Sequence, residues 1–173
     1  MISRTRLRGV TLIELLTAIA IMAVLVTMAA PSLNNFILKS RLKGAGEALH
    51  SDLVYARTEA VTRNQTITVS FSTGTDWCYG ISTGGTCNCA TAGSCSIKAV
   101  SGTSYTGTTL ATSFTALTFD GVQGTIGGAG GTVGTDTVLI QNSIGQAGVR
   151  PAMVSLKLCS PSSYTAVTGY PSC

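Results

Sequence analysis

Charge is scarce in this chain and histidine almost absent: 10% of its 173 residues are charged, and His50 is the one histidine. No nucleophile stands at motif spacing from a base that could activate it, so the sequence carries no candidate catalytic residue and the chain is not read as an enzyme. Metal ligands are no better provided. Cys87-Asn88-Cys89 lacks the spacing of zinc-binding cysteine pairs, and neither a metal nor a cofactor is expected. The run Gly127-Gly128-Ala129-Gly130-Gly131, inside the glycine-rich stretch from Gly121 to Gly134, lacks the Lys-Ser/Thr of a phosphate cradle and leads into no helical pattern. It reads as a flexible hairpin or loop. Low charge combined with 45% hydrophobic residues excludes a disordered main body, and no long internal repeat is evident.

What the chain does have is one long apolar run near its start. From Val10 to Ala30 every residue is apolar except Thr11, Glu14, Thr17 and Thr27, which is long enough for a helix to cross a bilayer. Glu14 is the anomaly, because an ionisable side chain inside such a helix is costly and calls for a partner. Before the run, Met1 to Gly9 carries Arg4, Arg6 and Arg8 and no acidic residue, so the positive-inside rule keeps this end in the cytoplasm and exports the rest. A secretory signal is cut after its apolar region. Here the glycine precedes it, and processing at Gly9 would keep the helix.

Gly9 followed by Val10-Thr11-Leu12-Ile13-Glu14-Leu15 resembles the class III signal of type IV prepilins and type II secretion pseudopilins. The resemblance implies cleavage by a prepilin peptidase between Gly9 and Val10, methylation of the new Val10 amine, and a role for Glu14 in guiding subunits into a filament. Val10 departs from the phenylalanine usual there, while glycine and glutamate keep their spacing. The chemistry is consistent, since a neighbouring subunit's Glu14 could pair with the freed amine and so offset its burial. Pro31 sits where pilin helices commonly carry a proline, and it would loosen the helix by removing a backbone donor.

Beyond the apolar run, Leu42, Ala45, Leu49, Leu53, Ala56 and Ala60 recur at spacings of three and four, drawing one apolar stripe along a continuing helix. Glu59 and Arg63 stand four apart in the favourable order. Asn64 ends the pattern, and from Thr66 the period becomes two, with Ile67, Val69 and Phe71 forming one face of a half-buried strand. The run from Leu49 to Asn64 fits the pattern LxxxLxxARxEAxxRN and resembles the GspH/FimT group of minor pilins and minor pseudopilins, most strongly over residues 9 to 81. Arg57 and Glu59 are placed on an exposed or lateral face, and His50 at the surface. Further strands are expected over Trp77 to Ser82, Phe114 to Phe119, Thr137 to Asn142 and Val154 to Cys159.

The expected architecture is therefore α+β and type IV pilin-like: a long N-terminal helix packed on an antiparallel β-rich domain. Residues 1–9 form the leader, 10–63 the helix with its transmembrane part at 10–30, and 64–173 the globular domain. All six cysteines, Cys78, Cys87, Cys89, Cys95, Cys159 and Cys173, fall in the exported part, where an even number suits an oxidising compartment. Sequence leaves fifteen pairings open. Cys159 with Cys173 is expected, because the segment between them has few apolar residues and closing such a loop is worth about 3 kcal/mol in the chain-entropy model. This also resembles the C-terminal loop closure of many pilins. The remaining four would form two local bridges around Thr83 to Ser96.

The formal charge of +4 includes three leader arginines; Lys39, Arg41 and Lys43 follow the apolar run, where they would meet lipid headgroups or solvate the helix. From Gly44 onward five basic residues face six acidic ones, and this near-neutral domain gives no bulk case for nucleic acid. Some members of the group bind DNA through an arginine-rich C-terminal pattern. The nearest segment here is Gly148-Val149-Arg150-Pro151, with Lys157 further on and Pro151 placed where a strand would otherwise extend. The leading expectation is a minor pilin that helps prime pilus polymerisation near the tip; the alternatives are a minor pseudopilin of a type II secretion system and a DNA-binding minor pilin for DNA uptake. The implied partners are the prepilin peptidase, the major pilin and other minor pilins. The implied location is the bacterial inner membrane, with a cytoplasmic leader and periplasmic domain, and then the pilus, surface-exposed at its tip.

Overall fold

The computed structural model describes residues 9–161, 167 and 169–173, and of residues 28–31 the backbone alone. The leader arginines and the side chain of Pro31 lie outside the described residues. One helix, α1 (Leu12–Arg63), is followed by β1 (Ile67–Ser72), β2 (Cys78–Thr83), β3 (Lys98–Ser101), β4 (Thr109–Ala111), β5 (Ala116–Phe119), β6 (Ile126–Ala129), β7 (Val138–Asn142), β8 (Gly145–Ala152) and β9 (Ser155–Cys159). The chain divides into two units, Met1–Ile37 and Leu38–Cys173.

In the first unit, Leu12, Ile13, Leu16, Ile19, Met22 and Leu25 are all more than half exposed. Its hydroxyls are satisfied locally, Thr17 Oγ1 donating to the Glu14 carbonyl at 3.0 Å and Thr27 Oγ1 to the Val24 carbonyl at 2.8 Å. Such back-bonding removes the polar groups that would oppose entry into lipid. By length and composition, α1 is the one helix among the described residues able to cross a membrane.

The second unit contains the core. Leu42, Ala45, Leu49, Leu53, Ala56 and Ala60 are buried along one face of α1 and join one cluster with Ile67, Val69, Ile81, Leu117, Phe119, Ile140 and Val149. Each of the three leucines contributes on the order of 2 kcal/mol by leaving water. Asn64 closes the helix in a left-handed conformation, φ 50°. The Gln65 N–H then reaches back to the Ala60 carbonyl at 3.1 Å, satisfying an end carbonyl as a Schellman motif does.

Two antiparallel sheets follow, one ordered β3-β2-β1-β5-β6 and the other β4-β7-β8-β9. Central β1 pairs Val69 with Ile81 on one side and with Leu117 on the other. Its alternation predicts a half-buried strand, yet Thr68 and Ser70 are buried too. The reason is the β2–β3 connection, which covers the second face: the Cys87 N–H donates to Ser70 Oγ at 3.0 Å. Gly80 permits this approach, since a Cβ there would lie 2.2 Å from Cys95 Sγ.

Proline also proves compatible with a strand interior. β8 runs through Pro151, which pairs with Leu156, so the expectation that Pro151 interrupts a strand is corrected. Pro151 has no N–H to donate, and the Leu156 carbonyl opposite turns outward to His50 Nε2 at 3.3 Å. Of the two readings of the glycine-rich stretch, hairpin or loop, the hairpin is found: it contains β6, which pairs antiparallel with the preceding β5.

Candidate functional site

Gly9 and Val10 lie outside the helix, and both are exposed. α1 starts just after Thr11, whose Oγ1 accepts the Glu14 N–H at 3.3 Å. Thr11 is thus the N-cap of a Thr-x-x-Glu start, a role that its spacing from Glu14 encodes and that the sequence reading passed over. Glu14 lies in the first turn, where a carboxylate complements the helix dipole. Its side chain is exposed and forms none of the three ion pairs found among the described residues. Among the described residues Glu14 therefore stands as a carboxylate outside every ion pair, in an exposed and predominantly apolar helical segment.

The Leu38–Cys173 unit is fastened by polar contacts from α1. Asp52, at 9% exposure, accepts the Tyr79 hydroxyl at 2.8 Å from β2 and Lys98 Nζ at 2.7 Å from β3. Burial, reinforced by the bond to Asp52, pushes the Tyr79 hydroxyl well above the ordinary tyrosine range. Arg57 Nε donates to the Gly124 carbonyl at 2.8 Å, tying the β5–β6 turn to the helix, while Glu59 pairs with Arg63. His50 is half-buried rather than a surface residue and meets β9 as described above. None of these groups forms a nucleophile–base arrangement; they attach the helix to the sheets.

The basic residues after the apolar run are partly engaged by this unit. Arg41 Nη1 donates to the Thr106 carbonyl at 3.3 Å. Lys43 lies 3.8 Å from Glu47 and 5.9 Å from the ring centroid of Tyr170, whose hydroxyl donates to Glu47 at 3.1 Å. Desolvation, followed by the bond to Glu47, raises the Tyr170 hydroxyl above the usual tyrosine range.

The cysteines pair as Cys78–Cys89, Cys87–Cys95 and Cys159–Cys173. The first two interlace across the β2–β3 connection. The third joins the end of β9 to residue 173, and nearby Val167 is buried. No cluster of metal-ligating side chains occurs among the described residues. Arg150 and Lys157 stand directly opposite each other on β8 and β9.

Residues 45–163 match the family described as type II transport protein GspH, and residues 4–30 match the prokaryotic N-terminal methylation motif. The type II secretion system protein H of Xanthomonas campestris pv. campestris is 41% identical over 58 residues, which are 34% of each chain. That match spans about a third of the curated relative's length. The crystal structure of the type IV minor pilin FimU from Pseudomonas aeruginosa PAO1 superposes with a TM-score of 0.53 at 24% identity, covering 76% of this chain and 96% of that one. This establishes an α+β type IV pilin fold. With the family match running over more than half of its length and the methylation motif ahead of it, the chain belongs to the GspH family and is a type IV pilin-like or pseudopilin-like subunit, structural rather than enzymatic.

Proposed function

We propose that this protein is a minor pilin of a type IV pilus, helping to prime polymerisation of the major subunit near the filament tip. A prepilin peptidase cuts between Gly9 and Val10, the Val10 amine is methylated, and α1 holds the subunit in the inner membrane with its domain in the periplasm. Assembly then draws the apolar segment from the bilayer into the filament, where Glu14 meets the amine of a neighbouring subunit. In low dielectric that pairing is strong enough to select register. The observation that carries this reading is Glu14, outside every ion pair of the described residues, in an exposed apolar segment of α1 that continues into a disulfide-bonded domain. Three disulfides favour the pilus, since a subunit displayed outside the cell must keep its fold without help from within.

A minor pseudopilin of a type II secretion system is the second reading, favoured by the 41% identity to the Xanthomonas protein over 58 residues. Deleting the gene separates the two. The pilus reading expects fewer surface pili and reduced twitching with normal protein secretion. Unchanged pilus number and motility together with lost secretion would overturn it in favour of the second.

A further inference from the structure

Strands β8 and β9 place Arg150 directly opposite Lys157. Two cations facing each other across an antiparallel pair repel unless an anion relieves them. Among the described residues no side-chain carboxylate lies within ion-pair distance of either: the ion pairs are Lys43–Glu47, Arg63–Glu59 and Lys98–Asp52. Asp136, the acidic residue of the turn near Gly134, instead accepts the Thr132 N–H at 2.8 Å. Arg150 Nε, moreover, is buried and has no hydrogen-bond partner among the described residues, a costly state for a charged donor.

Both side chains line a cavity of about 510 Å³, together with Gly134, Ala152, Cys159 and Cys173. Its walls are fixed. The Cys159–Cys173 bond closes one side, the Gly134 N–H donates to the Pro151 carbonyl at 2.7 Å, and the Ser160 N–H donates to the Pro171 carbonyl at 2.9 Å. The ordering that would otherwise oppose binding is therefore built into the fold.

We propose that this recess is a receptor for a single oxyanion, a carboxylate or a phosphate group, gripped by the planar guanidinium of Arg150 and balanced by Lys157 as a point charge. Two cations in a domain where five basic residues face six acidic ones from Gly44 onward suit one anionic group. A polyanion instead depends on many phosphates neutralised together.

The test uses the isotope-labelled full chain in non-ionic detergent at low salt, titrated separately with inorganic phosphate, with glutarate and with a short DNA duplex. The backbone amides of Gly134 and Ala152 report occupancy. A saturable shift with phosphate alone supports a phosphate-bearing occupant, and one with glutarate, alone or besides phosphate, supports a carboxylate. Arg150→Gln and Lys157→Gln should each weaken binding about tenfold or more while leaving amides remote from the recess unmoved. Absence of a saturable shift with either small anion, undiminished affinity in both variants, or a response to the duplex alone would overturn the assignment.

Discussion

The two halves of α1 follow the same helical geometry and meet opposite fates. From Leu12 to Val26 apolar residues stand on every face, Glu14 and Thr17 excepted, and large side chains such as Leu12, Leu16 and Met22 stay exposed. From Leu42 one apolar stripe, Leu42 to Ala60 at spacings of three and four, is wholly buried, while Val54, Tyr55 and Val61 lie off it and stay exposed. The contrast shows that amount of apolar surface and its arrangement encode different things. A stripe is answered by sheets of the same chain, whereas a helix segment apolar all round needs surroundings that the described residues do not supply.

The contrast can be broken most forcefully at the leucines. Leu53→Ala removes a fully buried side chain from the stripe and should lower the stability of the Leu38–Cys173 unit by about 2–5 kcal/mol, read by denaturant unfolding of the full chain in detergent. Leu16→Ala, in the exposed half, should leave that stability unchanged within about 0.5 kcal/mol. Equal losses for the two would erase the distinction. A smaller effect is expected at Asp52→Ala, which orphans the buried Tyr79 hydroxyl and should cost about 1–3 kcal/mol; Lys98, half in water, adds little. Tyr79 also gives the second half a pH signature. Its raised folded-state pKa means that the stabilisation is complete below the ordinary tyrosine range and is lost as pH climbs above it. Tyr79→Phe should therefore flatten the alkaline fall in melting temperature, and an unchanged alkaline slope would assign that fall to other groups.

Much of this was legible in the sequence where side chains alternate or recur strongly. The stripe from Leu42 to Ala60 is the core face of α1, period-two runs mark β1, β2 and β9, and β-rich composition marks β5 and β7. β6 and β8 escaped notice because their residues are small: Ile126-Gly-Gly-Ala129 and Gly145-Gln-Ala-Gly148 carry no alternation to read. At Gly148 smallness is required, since a Cβ would lie 2.5 Å from the Val138 carbonyl oxygen. Asp52 was missed although a signal existed, for it lies three residues after Leu49 and four before Ala56, a carboxylate on the edge of an apolar stripe. Its partners Tyr79 and Lys98 come from distant strands, and only the register of β2 with β3 brings them together. Glu14 stood out because it is alone in an apolar run, but the sequence could not say whether the chain itself would satisfy it.

Glu14→Ala tests most directly whether the exposed half of α1 is completed by other subunits. The variant should reach the membrane, be cut at Gly9 and keep the melting temperature of the Leu38–Cys173 unit, while its amount in the sheared filament fraction, read by immunoblot, falls about tenfold or more. Incorporation at the level of the unsubstituted protein would contradict the role assigned to that carboxylate.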